Sequence, residues 1–149
     1  MKKICFLLLT LVYTLACNAQ ITSYQFAEKI SENQSEVTFK VYVFCNTKKN
    51  IEQAACLAGI RCVMFDGIPD TKFKQSLLNE GEQSSIEKNT VYFNDLYNRR
   101  YTDYVKKCVM LSKFKKADIK KATLFEVTIK VFELRKNLEK NKIKTKFGI

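Results

Sequence analysis

Glu36-Val37-Thr38-Phe39-Lys40-Val41-Tyr42-Val43-Phe44 is the stretch on which the fold turns. Val37, Phe39, Val41 and Val43 alternate with Thr38, Lys40, Tyr42 and Phe44. Period two, carried by β-branched and aromatic residues, predicts a strand with one face in a core. The same alternation returns near the C-terminus, where Phe125, Val127, Ile129 and Val131 are interleaved with Glu126, Thr128 and Lys130. That run predicts a strand over 123–131. The apolar stretch 106–114 reads as its neighbour, and the basic segment 115–121 between them suits an antiparallel hairpin.

Working outward, 21–34 is weakly patterned. Tyr24, Phe26 and Ile30 face inward from either a frayed strand or a short helix. Asn46-Thr47 is expected to cap a helix through Ala58, with Ile51, Ala54, Ala55 and Ala58 on one face. Gly59 then stands where a left-handed C-terminal residue belongs. Ile60 to Phe65 is apolar throughout except for Arg61, which predicts a buried strand ended by an Asp66-Gly67-Ile68-Pro69-Asp70 turn. A long loop follows over 71–85. Ser84 and Glu87 resemble a capping box. The helix or helix pair after it carries Phe93, Leu96, Tyr97, Tyr101, Tyr104 and Val105 as an aromatic stripe. A last helix spans 132–141, with Leu134 and Leu138 four apart.

This order predicts an α+β fold: a single mixed β-sheet of about four strands (37–44, 60–65, 107–114 and 123–131) with helices mainly on one face. The first three elements form a right-handed βαβ crossover in that reading. Arg61-Cys62-Val63-Met64-Phe65 and Lys107-Cys108-Val109-Met110-Leu111 share one local pattern. If those strands are neighbours, Cys62 and Cys108 lie close together.

The N-terminus reads as an export signal. Lys2-Lys3 is a positive n-region and Ile4 to Leu15 an apolar h-region. Cys17-Asn18-Ala19 places small residues before Gln20, so residues 1–19 are expected to be cleaved and 20–149 to form a single domain. The rival is a lipoprotein signal with Cys17 lipidated, which is the one circumstance that brings in a membrane. The element order and the Ala-rich run Ala54-Ala55-Cys56-Leu57-Ala58 resemble small envelope-associated α+β domains of the flagellar-assembly and outer-membrane lipoprotein type. The Ala-Gln signal junction resembles secreted proteins of Bacteroides-type bacteria. These resemblances imply a periplasmic or outer-envelope location and transfer no functional residue.

The formal net charge of +11 is unevenly spread. Residues 20–100 are neutral, with ten basic and ten acidic side chains, whereas 101–149 carry fourteen basic and five acidic. Such a one-sided field can attract a polyanion or can serve solubility alone. The candidate anion-binding residues are Lys113, Lys115, Lys116, Lys120 and Lys121 at the hairpin tip. Lys140, Lys142, Lys144 and Lys146 alternate in the tail.

Four cysteines follow the signal: Cys45, Cys56, Cys62 and Cys108. In an oxidising compartment they permit two disulfides in three connectivities; as free thiols they pack as small hydrophobes. The chain has no histidine, which excludes Ser-His-Asp and Cys-His mechanisms, and it has no phosphate-loop pattern. No metal-ligand spacing occurs and no cofactor is implied. Asp66 with Asp70 and Glu80 with Glu82 are the available carboxylate pairs, explained as well by turn chemistry and a solvated loop. Tyr92, Phe93, Tyr97, Tyr101 and Tyr104 near Arg99-Arg100 can stack ligands or be core. Export argues against genomic nucleic acid as a partner. The expectation is a non-catalytic exported envelope module that docks to an envelope protein or to itself. A polyanion-binding protein using 101–149 is the alternative.

Overall fold

The computed structural model describes residues 23–115 and 122–144. The protein is an α+β domain built on one four-stranded sheet. Strands β1 (Ser23–Glu32), β2 (Glu36–Phe44), β3 (Val105–Met110) and β4 (Thr123–Lys130) lie in the order β1-β2-β4-β3. Every pairing is antiparallel. The expected mixed sheet is therefore antiparallel throughout, and no parallel crossover exists among the described residues.

The cause is the segment 60–65. It is helix, not strand. Helix α1 (Ile51–Arg61) follows a 3-10 turn at Lys48–Asn50 and runs into a π-helical turn over Cys62–Asp66. Ile60, Cys62, Val63 and Met64 are all buried there, which erases the polar face by which a helix is recognised. The loop after the helix wraps over its end. Leu77 and Leu78 donate backbone N–H groups to the carbonyls of Val63 (3.2 Å) and Met64 (2.9 Å), satisfying groups a helix terminus leaves open.

The stop signal is Gly67 rather than Gly59. Gly67 has φ 77° and donates its N–H to Cys62 O at 2.8 Å. A Cβ there would sit 2.2 Å from Lys74 O, so both the left-handed backbone and the close approach require glycine. Gly59 lies inside α1 and faces the sheet: its missing Cβ would fall 2.9 Å from Ile129 Cδ1 and 3.0 Å from Val127 Cγ2.

The place expected for the 60–65 strand is taken by β1, the weakly patterned N-terminal stretch, on the opposite edge from β3. Asn33 makes the β1–β2 turn, its Oδ1 accepting from the backbone N–H groups of Ser35 (2.8 Å) and Glu36 (2.9 Å). Register shifts at Phe26/Glu28 and Lys29/Ser31 break the β1 alternation. The expected hairpin of β3 and β4 is present, and β4 pairs on its other side with β2 from Glu36↔Lys130 to Val43↔Thr123.

Helix α2 is Glu82–Lys88 and α3 is Thr90–Asp95, which continues through a π-helical turn (Leu96–Arg100) into the short α4 (Tyr101–Tyr104). Gly81 occupies the N-cap of α2, so Ser84 lies inside the helix, where its hydroxyl bonds Glu80 Oε2 at 3.2 Å instead of forming a capping box. Helix α5 (Val131–Lys140) closes the layer, with Leu134 and Leu138 fully buried. The core lies between sheet and helices: Val37, Phe39, Val41, Phe125, Val127 and Ile129 from the strands meet Ala55, Ala58 and Ile60 from α1. The aromatic stripe belongs to it. Phe93, Tyr97 and Tyr104 are buried, and the Phe93 ring meets Tyr92 at 5.3 Å and Tyr97 at 5.7 Å. The similar patterns at 61–65 and 107–111 serve one helix and one strand, and Cys62 is not the neighbour of Cys108.

Candidate functional site

Because the helices cover one face of the sheet, the alternate residues of every strand form the other. Register sets them in rows. Glu28, Lys40, Glu126 and Val109 share one, and Gln25, Tyr42, Leu124 and Leu111 lie beside it. The first row is an ion ladder. Lys40 pairs with Glu28, and Lys107 reaches Glu126 at 2.6 Å. Lys106 bonds Glu36 at 2.7 Å, and this contact holds the Glu36 carboxyl below its usual range. The Thr38 and Thr128 hydroxyls meet at 2.9 Å. Lysines 106 and 107, part of the basic C-terminal excess, are thus matched to acids within the sheet.

The second row ends the ladder with apolar side chains. Tyr42 is 39 % exposed and Leu111 44 %, with Leu124 between them half-buried, and Val109 at the end of the first row is 40 % exposed. Among the described residues no element covers this end of the face. An exposed apolar group beside a charged rim is the usual signature of a contact surface.

A second cluster joins the helices to β1. Arg61 is 9 % exposed and grips Glu82 through two bonds, Nε to Oε1 at 2.6 Å and Nη2 to Oε2 at 2.7 Å. Tyr97 donates its hydroxyl to the same Oε1 at 3.2 Å, and the Arg61 guanidinium lies 4.6 Å from the centre of the Tyr24 ring. Tyr24 donates to Asp66 Oδ2 at 2.7 Å. Burial pushes the Tyr24 and Tyr97 phenols well above their ordinary range, with Asp66 and Glu82 adding to the effect. Glu82, expected in a solvated loop, instead begins α2 and neutralises the one charge in the 60–65 run. Arg61 within that apolar stretch was the visible signal of a buried partner.

Glu80 and Asp70 are the other candidate carboxylates. Glu80 bonds Lys88 at 2.7 Å, and Asp70 sits at φ 57° with its carbonyl accepting from Lys29 Nζ at 2.9 Å.

All four cysteines carry free thiols. Cys45 donates to Thr47 O at 3.3 Å. Cys62 is buried, and burial pushes its thiol up. Cys108 lies against α1, its sulfur 4.0 Å from the carbonyl oxygen of Glu52, and Cys56 follows one helical turn later. Of the expected anion-binding set, Lys113 and Lys115 are exposed beyond β3, and Lys116, Lys120 and Lys121 lie outside the described residues. The tail alternation does not make a solvated cluster. Lys144 is 8 % exposed and donates to Leu77 O, and burial, with Arg135 adding to it, lowers its ammonium below the usual range. Lys146 is outside the described residues, as are the N-terminal signal and Cys17. Around Lys144, a cleft of about 550 Å³ gathers Lys72, Lys74 and Arg135 with Asp66 as its one acid.

Among the described residues no helix is long and apolar enough to cross a membrane, and no group of three or more His, Cys, Asp or Glu side chains could hold a metal ion. The fold and its surface define a small α+β domain whose four-stranded antiparallel sheet is helix-covered on one face and open on the other. No protein family, curated protein or solved structure matches the chain.

Proposed function

We propose that the chain is a non-catalytic exported module that docks to another protein of the cell envelope through the open sheet face. One observation carries the reading: Tyr42, Val109, Leu111 and Leu124 form an apolar end on a face where Lys40, Lys106 and Lys107 are paired with Glu28, Glu36 and Glu126. Burying that end against a partner removes apolar surface from water. The edges argue against open-ended strand addition. β1 carries two register shifts and β3 one, between Val105 and Lys107, and such bulges blunt an edge. The carboxylates supply no spare acid–base pair, since Asp66, Glu80 and Glu82 each hold a structural partner. The signal-like N-terminus supports export.

A photo-crosslinking residue at Val109, in cells that produce the protein, tests this. The expected result is one discrete adduct that disappears with Tyr42→Glu, while a probe at Val91, 85 % exposed on the helical side, gives none. Equal labelling at both positions, or no adduct at 109, refutes it.

The cleft lined by Lys72, Lys74, Arg135 and Lys144 favours polyanion binding as a second reading. Retention on a phosphate polymer should then fall steeply with salt and weaken in Lys72→Gln/Lys74→Gln.

A further inference from the structure

Cys56 and Cys108 come from distant parts of the chain and meet between α1 and β3. Cys108 sits opposite Val127 of β4, on the inner, helix-covered face. Its sulfur lies 4.0 Å from the carbonyl oxygen of Glu52, one helical turn before Cys56. Residues four apart share a helix face, so Glu52 and Cys56 both present to this strand. The neighbouring thiols shift one another: Cys56 falls below its ordinary range, and Cys108 rises, with burial adding to the rise. Cys56 is therefore the thiol that ionises first. Cys62 is buried and burial raises its thiol, so it does not compete.

We propose that Cys56 and Cys108 are a redox pair that closes to a disulfide, clasping helix α1 to the edge strand β3. The oxidant is a small-molecule disulfide of the glutathione class. Cys56 thiolate attacks one sulfur of that disulfide, breaks its S–S bond and releases one glutathione thiolate, which takes up the proton Cys56 gave up. Cys108 then loses its proton to solvent and attacks the Cys56 sulfur, expelling the second glutathione. Two protein thiols are oxidised and one glutathione disulfide is reduced to two thiols. Excess glutathione runs the step backwards.

The clasp acts at an edge of the sheet. Strand β3 pairs with β4 alone and begins at a register shift. Pinning it at Cys108 also fixes Val109 and Leu111, which face the other way. The inference does not depend on docking, because it concerns thiols on the inner face.

Tryptic mapping tests it on the purified protein. After equilibration with excess glutathione disulfide, free thiols are blocked with iodoacetamide and the chain is digested. Arg61 separates Cys56 from Cys62, so every pairing gives a distinct product. The expected product joins peptide 50–61 to peptide 108–113. In Cys108→Ser, Cys56 should instead carry one glutathione, and Cys62→Ser should leave the 56–108 link unchanged. The oxidised protein should melt about 5–15 °C higher than the reduced one. A link from Cys56 to Cys45 or Cys62, or Cys56 and Cys108 both alkylated or both glutathionylated, overturns the proposal.

Discussion

Gly59→Ala isolates the contact on which the helix-to-sheet packing depends. In an exposed helix this change stabilises by about 1 kcal/mol, because glycine is a poor helix former. Here the new methyl carbon would stand 2.9 Å from Ile129 Cδ1 and 3.0 Å from Val127 Cγ2, both fully buried. Overpacking of a dense core costs about 1–3 kcal/mol. The contact outweighs the propensity gain, and a net loss of about 1 kcal/mol is expected. A glycine held in a left-handed C-terminal conformation would lose a similar amount for a backbone reason, so the single variant does not separate the two. A cycle with Ile129→Val does. Ile129→Val alone should cost about 1 kcal/mol and removes the Cδ1 atom that the methyl would strike. In that background Gly59→Ala should cost less, with a favourable coupling of about 0.5–1 kcal/mol. Urea unfolding at constant slope measures each corner of the cycle. Costs that add to within about 0.3 kcal/mol, or a single variant more stable than the parent, would refute the close approach.

Three further outcomes follow from the buried groups. Glu82→Gln leaves the Arg61 guanidinium without its carboxylate in a nearly dry site, and should destabilise by about 2–4 kcal/mol in the same assay, whereas Glu80→Gln, whose ion pair is exposed, should leave stability nearly unchanged. Burial raises the folded-state pKa of Tyr24, Tyr92 and Tyr97 above that of the unfolded chain. Their contribution is then complete below about pH 10 and is lost as pH rises beyond it, so the melting temperature should fall in that range and tyrosinate absorbance from these rings should appear only with unfolding. Titration of these three rings with a midpoint near pH 10 in a still-folded protein would contradict their burial. Val127→Asp should abolish folding, because Val127 is fully buried in the central strand β4, and circular dichroism would show it.

Legibility in the chain followed how many sides of an element meet solvent. β2 and β4 show one face to the core and one to water, so their alternation was plain and their spans were read nearly to the residue. The Leu134/Leu138 spacing of α5 was readable for the same reason. Residues 60–65 failed because a helix turn wrapped by sheet, loop and neighbouring helix has no polar face to announce its period. β1 failed for the opposite reason: at an edge, with two register shifts, little of its alternation survives. The apolar end of the outer sheet face was half legible. Tyr42 and Leu124 were assignable to the outward side of their strands, but that they stand in one row with Leu111 depends on register.

Local sequence alone determined the antiparallel hairpin of β3 and β4, the apolar sides of the central strands, the charge asymmetry and the absence of histidine chemistry. These depend on neighbours a few positions apart, or on composition. Tertiary structure alone decided which glycine ends α1, which acid meets Arg61, and which cysteine faces Cys108. Each depends on two segments far apart in sequence arriving at one place, and the distances that select a partner exist only once α1 lies across the sheet.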